Sequence, residues 1–432
     1  MHTFTLEGAI DWIQGARYKG QKNGLENTRE LLRALGNPEK SFRCVHIAGT
    51  NGKGSTASMV ERVLRESGYR TGLYTSPYLC RYQERVRTDG VPIEGEALMR
   101  IVGRLADISD ELTARGVFPT TFELGTALCF EYFREKGVEV AVIEVGLGGR
   151  LDSTNVIVPE VSLLAAIGLD HTKVLGDTIA EIAGEKAGII KEGVPVVAQT
   201  QDAEILNVFR RVAAEKNSSL EIARYPEVLE QTAYMSLFAM ELEGLGRSEY
   251  QINLPGQHQL KNASLALNGL NVLRGRGLDK ITQETMCEGL KKAQWPGRIE
   301  WVDGVLLDGA HNPQGAQSLK EYLDAHFRGT HITLLTGMMQ DKQIEDCAKI
   351  LAPLADLVVA TQVDYERAAQ AQDVADIFAR YGAKATMSES SLPHALEQAR
   401  EKTPADGITV CAGSLYVAGD VRNLLKCDNG CL

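Results

Sequence analysis

A glycine-rich loop that carries one lysine, GTNGKGS, has the residue types that bind phosphate groups. Its members are Gly49, Thr50, Asn51, Gly52, Lys53, Gly54 and Ser55. The common phosphate-binding loop, G-x-x-x-x-G-K-[ST], has wider glycine spacing and a hydroxyl directly after the lysine. Glycines still let backbone N–H groups converge on an anion, and the N-terminus of the helix predicted to follow adds its dipole. We interpret the loop as a nucleotide site with Lys53 at the β- and γ-phosphates and with Ser55 or Thr56 as helix cap. A plain strand–turn–helix with a surface lysine is the alternative.

An acid and a histidine follow two other apolar runs. Glu144 lies near the end of the run 138–145, and His171 follows the run 161–167. The carboxyl ends of parallel strands form the ligand-binding edge of an open α/β sheet. We interpret Glu144 as a metal ligand at that edge, with a capped structural carboxylate as the alternative. We interpret His171 as a group that binds Mg²⁺ or a phosphate, with a packed core histidine as the alternative.

The elements that must position these residues alternate between apolar strands and amphipathic helices. Nearly continuous apolar strands are typical of a parallel sheet that is buried on both faces. The predicted strands are 41–49, Thr71–Tyr74, 138–145, 161–167, 194–198, Val305–Leu307, Ile332–Thr336, Leu357–Ala360 and 408–411. The predicted helices are 55–67, 94–115, 123–136, 261–278, 315–326, 343–351 and 369–381.

This alternation predicts an α/β protein with two domains. Residues 1–297 are expected to form a phosphate-loop domain around a mostly parallel sheet, with a small antiparallel patch at 225–251. Residues 298–432 are expected to form a smaller, Rossmann-like α/β domain. The boundary is placed at Pro296 and Gly297, because such a pair interrupts regular structure.

Charge, hydropathy and cysteine usage exclude several classes of partner. The net charge of −11 argues against a nucleic-acid partner and requires local cations around any anionic ligand. No apolar run approaches the ~20 residues of a membrane span, and the N-terminus lacks the pattern of a signal peptide. The eight cysteines have no metal-ligand spacing, which indicates reduced thiols. We expect a cytoplasmic monomer without a membrane partner.

Seven further segments accompany the loop and are spread over nearly the whole chain. They are TSPYLCRYQERVR (75–87), TTFE (120–123), IEVGLGGRLDSTN (143–155), GLDHTKVLGDTIAEIAGEKAGIIK (168–191), WPGRIE (295–300), DGAHNP (308–313) and GSLYVAGDVR (413–422). Together with GTNGKGS they resemble the folylpolyglutamate synthase and dihydrofolate synthase family of the Mur ligase superfamily. The resemblance implies an ATP-dependent ligase with an ATP- and folate-binding first domain and a glutamate-binding second domain.

The resemblance also implies residues that bind ATP and Mg²⁺. In the family the positions matching the loop 49–55 and Arg298 contact phosphates, Asn262 lies on the adenine side, Asp308 near the ribose and His311 at the γ-phosphate end. The implied magnesium ligands are Ser76, Glu144, His171 and Lys186. The implied catalytic residues are Lys53, Lys186 and His311.

Lys186 has a special role in this resemblance, because the lysine at the matching family position is carbamylated. A carbamate is an anionic oxygen ligand, whereas an ammonium beside Mg²⁺ would be repelled. From the residues alone, a surface lysine on a helix, paired with Glu185 or Glu181, remains the alternative.

The substrate side of the site is implied by the same family. Arg81, Arg85 and Arg87 recur at near-alternate spacing in 75–87, either in a solvated loop or in a mobile folate-binding loop with cations for carboxylates. The implied substrate-binding residues are Arg81, Thr121, Phe122, Glu123, Asp152 and Ser414. In this reading Phe122 stacks on a pterin ring, Asp152 pairs with the polar edge of that ring, and Ser414 lines the glutamate site.

The implied reaction transfers the γ-phosphoryl group of ATP to a folate carboxylate, and the amine of L-glutamate then attacks the acyl phosphate. An enzyme that also makes dihydrofolate from dihydropteroate is the alternative. Leu151 and Asp152 allow a dihydropteroate site, but Ser153 stands where bifunctional members often carry alanine. A nucleotide-binding regulator without catalysis is disfavoured by the joint presence of the implied ATP and metal residues.

Overall fold

The structure, a computed structural model, describes residues 2–16, 24–365 and 367–428. It forms two compact units. The larger unit contains the residues up to Leu229 together with Leu237–Asn253 and Leu260–Gln294. The smaller unit contains Glu230–Ser236, Leu254–Gln259 and the chain from Trp295 onward. None of the helices within the described ranges combines the length and the hydropathy that crossing a membrane requires.

A mostly parallel sheet lies at the centre of the larger unit, as the apolar runs predict. Its strands are β1 (Arg43–Ala48), β2 (Thr71–Tyr74), β3 (Val86–Thr88), β4 (Val91–Pro92), β5 (Val140–Glu144), β6 (Val161–Leu164), β7 (Val196–Gln199) and β8 (Leu220–Ala223). Across the sheet their order is β4-β3-β2-β5-β1-β6-β7-β8. Neighbours pair in parallel except β2 with β3 and β3 with β4. Because β1 lies between β5 and β6, the residues that follow these three strands meet at one edge.

Helices cover both faces of this sheet and bury its apolar side chains. They are α1 (Leu6–Gly15), α2 (Glu26–Ala34), α3 (Lys53–Glu66), α4 (Gly95–Ala114), α5 (Thr121–Lys136), α6 (Thr172–Leu175), α7 (Ile179–Ala187), α8 (Ala203–Glu215), α9 (Gln257–Gly275) and α10 (Gln283–Lys292). One cluster buries Leu105 of α4 and Phe130 of α5 with Ile143 of β5. Another buries Ile182 of α7 and Phe209 of α8 beside β6 and β7. This burial holds the strand ends in place.

A separate three-stranded sheet occupies the segment in which the sequence predicts a small antiparallel patch. Its strands are β9 (Glu227–Gln231), β10 (Ser236–Leu242) and β11 (Gly246–Ile252), in the order β11-β10-β9. Phe238 and Tyr250 stack across β10 and β11 with 5.7 Å between ring centroids.

The smaller unit has its own sheet, which is parallel apart from one edge strand. Its strands are β12 (Glu300–Val302), β13 (Val305–Leu307), β14 (Ile332–Thr336), β15 (Leu357–Ala360), β16 (Thr386–Ser388) and β17 (Ile408–Ala412), in the order β12-β13-β17-β14-β15-β16. Only β12 and β13 pair antiparallel among these strands. The helices are α11 (Pro313–His326), α12 (Ile344–Leu351), α13 (Ala371–Arg380), α14 (Leu392–Lys402) and α15 (Leu415–Asp428). The mixed α/β fold class predicted from the sequence is confirmed.

The start predicted for the helix that follows the loop 49–55 is wrong. The helix α3 begins at Lys53, and Gly52 is its N-cap, with a left-handed φ of +83°. Ser55 and Thr56 therefore lie inside the first turn and do not cap the helix. A glycine can take this position because the left-handed conformation costs it little.

Candidate active site

The segment 49–55, named the phosphate loop below, connects β1 to α3 and is held by the neighbouring backbone. The N–H groups of Thr50 and Asn51 donate to the carbonyl of Ala166, just beyond β6, at 2.7 and 3.2 Å. A Cβ atom on Gly52 would overlap the side chain of Asn262, which is buried. The loop therefore packs directly on the residue that the family resemblance places on the adenine side.

Lys53 is the first residue of α3, and its ammonium lies close to a buried acid. Its Nζ donates to the Thr50 carbonyl at 3.2 Å and lies 3.8 Å from Oε1 of Glu144. Glu144 is the last residue of β5, and its Oε2 accepts the N–H of Ser76 at 3.1 Å. The structure thus brings Lys53, Glu144 and Ser76 together beside the first turn of α3. The N–H groups of such a turn have no acceptor within the helix, and they attract anions.

Lys186 lies in the last turn of α7 and approaches the same loop from the other side. Its side chain is buried, and its Nζ donates to the carbonyl of Gly49 at 2.9 Å. Burial and, to a lesser extent, the charge of Lys53 lower the pKa of Lys186 to about 7, while Asp170 and Asp152 oppose the change. The alternative of a surface lysine is wrong.

Glu185 and Glu181, the partners considered for a surface Lys186, form other contacts. Glu185 pairs with Arg150 at 2.7 Å, and Glu181 belongs to the capping box of α7 with Thr178. A buried amine close to a second lysine is disfavoured as an ammonium, so Lys186 has the environment of a neutral amine.

His171 lies at the predicted edge, as the N-cap of the short helix α6. Its φ is +51°, its side chain is 44% exposed, and its Nε2 lies 3.8 Å from Oδ1 of Asp170. It is therefore not a packed core histidine. In the described ranges no group of three or more His, Cys, Asp and Glu side chains is arranged to hold a metal ion.

The donor set nevertheless fits Mg²⁺ bound together with a nucleotide. Mg²⁺ is commonly held by one or two carboxylates while phosphates and water supply the other ligands. Glu144 supplies one carboxylate, and Ser76 lies against it. A complete protein cage is not needed for such an ion.

Asp152 is buried, and both of its oxygens accept hydrogen bonds from its own segment. Oδ2 accepts the N–H groups of Gly146 and Leu147 at 3.1 and 2.9 Å. Oδ1 accepts the N–H of Thr154 at 3.0 Å and its hydroxyl at 2.5 Å. Burial raises the pKa of Asp152, and these hydrogen bonds oppose the rise. In this structure the carboxylate therefore holds the segment 146–149, named the glycine loop below.

Phe122 is partly buried in the first turn of α5 and packs on the glycine loop. A Cβ atom on Gly146 would overlap the Phe122 ring. The ring centroid lies 6.0 Å from that of Tyr74 on β2. Phe122 is thus placed at the same sheet edge as Glu144, with the glycine loop against the distal edge of its ring.

The residues on either side of Phe122 have structural contacts. Glu123 forms a capping box with Thr120, whose N–H donates to the Glu123 carboxylate at 2.7 Å. The hydroxyl of Thr121 donates to the carbonyl of Ala16 at 2.9 Å. These contacts fix the start of α5, and hence the position of Phe122.

The three arginines of segment 75–87 have different environments. Arg81 is exposed, and Nε of Arg87 donates to a backbone carbonyl at 3.1 Å. The guanidinium of Arg85 lies 5.4 Å from the ring centroid of Tyr78 and 5.5 Å from that of Tyr82. Its Nε is buried and has no hydrogen-bond partner among the described residues. Arg85 is therefore the arginine whose position is fixed here, although the family resemblance implies Arg81 as the substrate-binding one. Its spacing from Tyr78 and Tyr82 is the sequence feature that could have indicated this.

In the smaller unit, three of the implied ATP residues lie around the end of β13. Asp308 is buried, and its carboxylate accepts the N–H groups of Ile299 and Ala310 at 3.0 and 2.8 Å. Burial raises the pKa of Asp308, while Arg298 opposes the rise. His311 Nδ1 donates to the carbonyl of Gly309 at 2.8 Å, because a carbonyl can only accept. Nε2 of the neutral ring is therefore an acceptor.

Ser414 follows β17, which pairs with β13, so it lies at the same edge of the smaller sheet. It is buried, and its Oγ accepts the N–H of Tyr416 at 3.1 Å. The rings of Tyr416 and Tyr365 pack at a tilt of 44°, with 4.3 Å between their centroids. The predicted residues of this unit are thus gathered around two neighbouring strand ends.

The sequence matches two family models that together span most of these residues. Residues 47–269 match the Mur ligase middle domain, and residues 297–415 match the Mur ligase glutamate ligase domain. The first range contains the phosphate loop, Glu144 and Lys186, and the second contains Arg298, Asp308 and His311.

Several proteins with names that state a function are similar over their whole length. The dihydrofolate synthase/folylpolyglutamate synthase of Bacillus subtilis is 36% identical over 429 residues, which cover 97% of this chain and 99% of that protein. The structure of Mycobacterium tuberculosis folylpolyglutamate synthase complexed with ADP aligns with a TM-score of 0.89 at 29% identity, covering 97% and 99% of the two chains. The structure of E. coli FolC in complex with DHPP and ADP aligns with a TM-score of 0.85 at 28% identity, covering 99% of each chain.

Proposed function

The chain belongs to the folylpolyglutamate synthase/dihydrofolate synthase family of the Mur ligases, and we propose that it joins L-glutamate to the carboxylate of a reduced folate in an ATP-dependent reaction. The observation that carries this proposal is the meeting of Lys53 and Glu144 at the N-terminus of α3, with buried Lys186 on the carbonyl of Gly49. In this arrangement Lys53 and the first turn of α3 supply the local positive charge that an anionic nucleotide requires in a chain of negative net charge. In this proposal residues 1–297 bind ATP and folate, and residues 298–432 bind glutamate.

The phosphate loop is proposed to hold the phosphates of ATP. N–H groups of the first turn of α3 would donate to them, and Lys53 would neutralise the charge on the β- and γ-phosphates. The residues assigned to the remainder of the nucleotide are Asn262 on the adenine side, Asp308 at the ribose, Arg298 at the phosphates and His311 at the γ-phosphate end. The ADP in two similar structures supports a nucleotide site in this chain, and the individual residues follow the family resemblance.

We assign Glu144, Ser76, His171 and a carbamylated Lys186 to Mg²⁺. When bound, the ion would neutralise charge on the nucleotide phosphates. Carbamylation joins the neutral amine of Lys186 to the carbon of CO₂ and releases one N–H proton to solvent. The buried position of Lys186 next to Lys53 supports this assignment, because it disfavours the ammonium form.

The reaction then needs positioning and charge neutralisation from the chain, and no enzyme nucleophile. A folate carboxylate oxygen attacks the γ-phosphorus, and ADP leaves as the β–γ bridging bond breaks. The amine of glutamate attacks the acyl carbon, inorganic phosphate leaves, and the surplus proton passes to solvent or phosphate. Lys53 is placed to stabilise the negative charge during the first step, and Ser414 is assigned to the incoming glutamate.

The folate is assigned to the region around Phe122 and the glycine loop. The face of Phe122 is suited to stacking on a pterin, and Arg85 supplies a fixed cation for a carboxylate or carbonyl oxygen of the substrate. Arg81, Thr121, Glu123 and Asp152 remain proposed contacts on this side, although the structure gives Glu123 a capping role and Asp152 the role of holding the glycine loop. These two acids would act on the substrate mainly through the elements that they fix.

A bifunctional enzyme that also joins dihydropteroate to glutamate is the second candidate. The name of the B. subtilis relative combines both activities, and DHPP is bound in the E. coli structure. Ser153 is buried beside Asp152 at a position where bifunctional relatives often carry alanine. Serine differs from alanine by only one hydroxyl group, so this residue leaves the second activity open. We further propose that the enzyme is a cytoplasmic monomer, which size-exclusion chromatography with light scattering would test.

The decisive experiment measures ADP release by the purified protein with L-glutamate and one acceptor at a time. The acceptors are dihydropteroate, dihydrofolate, tetrahydrofolate and methylenetetrahydrofolate, and reactions without glutamate are the control. Release with the tetrahydrofolates supports the main proposal, and release with dihydropteroate adds the second activity. An absence of glutamate-dependent ADP release with all four acceptors would refute the proposed function.

A further inference from the structure

A line of three side chains leads from the middle of β1 to the glycine loop. His46 is completely buried on β1, and its Nε2 lies 2.9 Å from Oγ1 of Thr154. Thr154 is also completely buried, and its Oγ1 lies 2.5 Å from Oδ1 of Asp152. Neither His46 nor Thr154 has a role in the function proposed above.

The direction of the hydrogen bonds in this line follows from simple counting. The carboxylate of Asp152 accepts from Thr154 and from two loop N–H groups, so it acts as an acceptor. The single hydroxyl proton of Thr154 therefore points to Asp152, and its oxygen accepts the Nε2–H of His46. Nδ1 of His46 then carries no proton, and it is indeed buried without a hydrogen-bond partner in the described part of the chain.

The glycine loop held by Asp152 fits closely between two groups of the candidate site. On one side, Gly146 packs against the distal edge of the Phe122 ring so closely that a Cβ atom would overlap Cζ. On the other side, a Cβ atom on Gly149 would lie only 2.7 Å from the carbonyl oxygen of Glu185 and 3.0 Å from Cα of Lys186. A change in the shape of this loop therefore displaces the surface on which Phe122 rests.

We propose that His46 and Thr154 are positioning residues for the folate substrate, because they orient the Asp152 carboxylate and through it the glycine loop behind Phe122. The inference rests on the proposed function, since that function assigns folate to this region. Neither residue touches the substrate in this proposal. The three hydrogen-bonded side chains act as one unit, so removing the hydrogen-bonding group of His46 or of Thr154 has the same consequence.

Four variants separate the hydrogen bonds from the shapes of the side chains. Thr154→Val removes the hydroxyl and keeps the branched shape, whereas Thr154→Ser keeps the hydroxyl. His46→Leu removes the N–H donor, whereas His46→Gln keeps one at the reach of Nε2. The matched control is Ser162→Ala on β6, directly beside His46 in the sheet, where a buried hydroxyl donates to the carbonyl of Ile189 at 3.2 Å.

The kinetic readout is KM for each substrate. Thr154→Val and His46→Leu are expected to raise KM for the folate substrate about tenfold and to leave KM for ATP within about twofold. The double variant should be no worse than either single variant, since residues that act as a unit are non-additive. Thr154→Ser, His46→Gln and Ser162→Ala should stay near the wild type. An equal rise in KM for ATP and folate would overturn the proposal.

A second readout does not depend on turnover. Amide hydrogen exchange of peptides that cover 144–152 should be faster in Thr154→Val than in the wild type, and unchanged in Thr154→Ser and Ser162→Ala. Equal exchange in Thr154→Val and the wild type would overturn the positioning role. If the wild-type protein uses no folate acceptor, the proposed function fails, and the exchange data still decide whether His46 and Thr154 hold the glycine loop.

Discussion

Two glycine-rich loops follow the neighbouring strands β1 and β5, and they differ in the anion that their surroundings favour. The glycine loop directs the N–H groups of Gly146 and Leu147 to Asp152, an anion from its own segment. The phosphate loop instead leads into the first turn of α3 and carries Lys53 there. One loop thus has an internal anion, and the other has the donors and the cation for an external one.

The difference teaches that glycine content alone does not predict an anion site. Both loops have the backbone freedom that such a site requires. What distinguishes them is the charge nearby: an acid shortly after the glycine loop binds its N–H groups, whereas a lysine at the start of a helix adds positive charge to the phosphate loop. The sequence positions of the nearest charged residues therefore decide which loop serves structure and which serves a ligand.

The largest effect is expected when the cation of the phosphate loop is removed. Lys53→Ala should lower kcat for ADP release by about 10³-fold, because the charge that stabilises the transferred phosphoryl group is lost. Steady-state assays with the preferred folate measure this change. Lys292→Ala is the control, since Lys292 is 43% exposed and pairs with Glu66 on the surface. A Lys53→Ala variant with wild-type kcat would contradict the role of the phosphate loop in binding an external anion.

The second effect concerns the buried amine beside the phosphate loop. Lys186→Ala should lower kcat about 10²-fold if Lys186 carries a carbamate. Protein equilibrated with ¹³C-bicarbonate should show a carbamate signal in NMR spectra that is absent from Lys186→Ala. Lys191→Met is the control, because Lys191 is another partly buried lysine of the same segment, with a pKa that burial lowers to about 8. If the signal persisted in Lys186→Ala and disappeared in Lys191→Met, the carbamate would be assigned to the wrong lysine.

The sequence predicts the central strands well for a physical reason. Strands such as β5 and β14 are buried on both faces, so they appear as uninterrupted apolar runs. The edge strands β4, β12 and β16, and β3 next to β4, are short and partly exposed, and no comparable run marks them. The bounds of α7 are absent from the predicted helices, although its capping residues Thr178 and Glu181 are visible in the sequence.

Site residues can be predicted from the sequence where residue type and position in a strand identify them. They cannot be predicted where tertiary packing determines their burial or contacts. Lys53 and Glu144 follow from their places at the ends of apolar runs, and the structure brings them within 3.8 Å. The burial of Lys186 depends on how α7 packs against the phosphate loop, which no local pattern reveals. In the same way, only the positions of Tyr78 and Tyr82 distinguish Arg85 from its neighbouring arginines.

A smaller effect is expected when the internal anion of the glycine loop is neutralised. Asp152→Asn keeps the shape, but its NH₂ group would face N–H donors, so at least one buried donor loses its acceptor. We expect the free energy of unfolding to fall by about 2 kcal/mol and KM for folate to rise about tenfold, with ADP affinity unchanged. Urea unfolding and calorimetric titration with ADP measure these quantities. The exposed Asp406→Asn is the control, and a loss of ADP affinity in Asp152→Asn would show that the two loops are not independent.

The smallest effect at neutral pH is a pH dependence of stability that arises where β1 and the glycine loop are joined through His46 and that grows only as the pH falls. Burial lowers the pKa of His46 from 6.5 to about 3, so between these values the unfolded chain binds a proton that the folded chain does not. This contribution to stability is complete above pH 6.5 and is lost as the pH falls toward 3, by at most about 1.4 kcal/mol per pH unit. His46→Gln keeps an N–H donor for Thr154 and removes the titration, so its free energy of unfolding should depend less on pH in this window. Urea unfolding at several pH values measures the slope, with the exposed His394→Gln as control. An identical slope in the wild type and His46→Gln would mean that His46 is not the neutral donor on which the glycine loop depends.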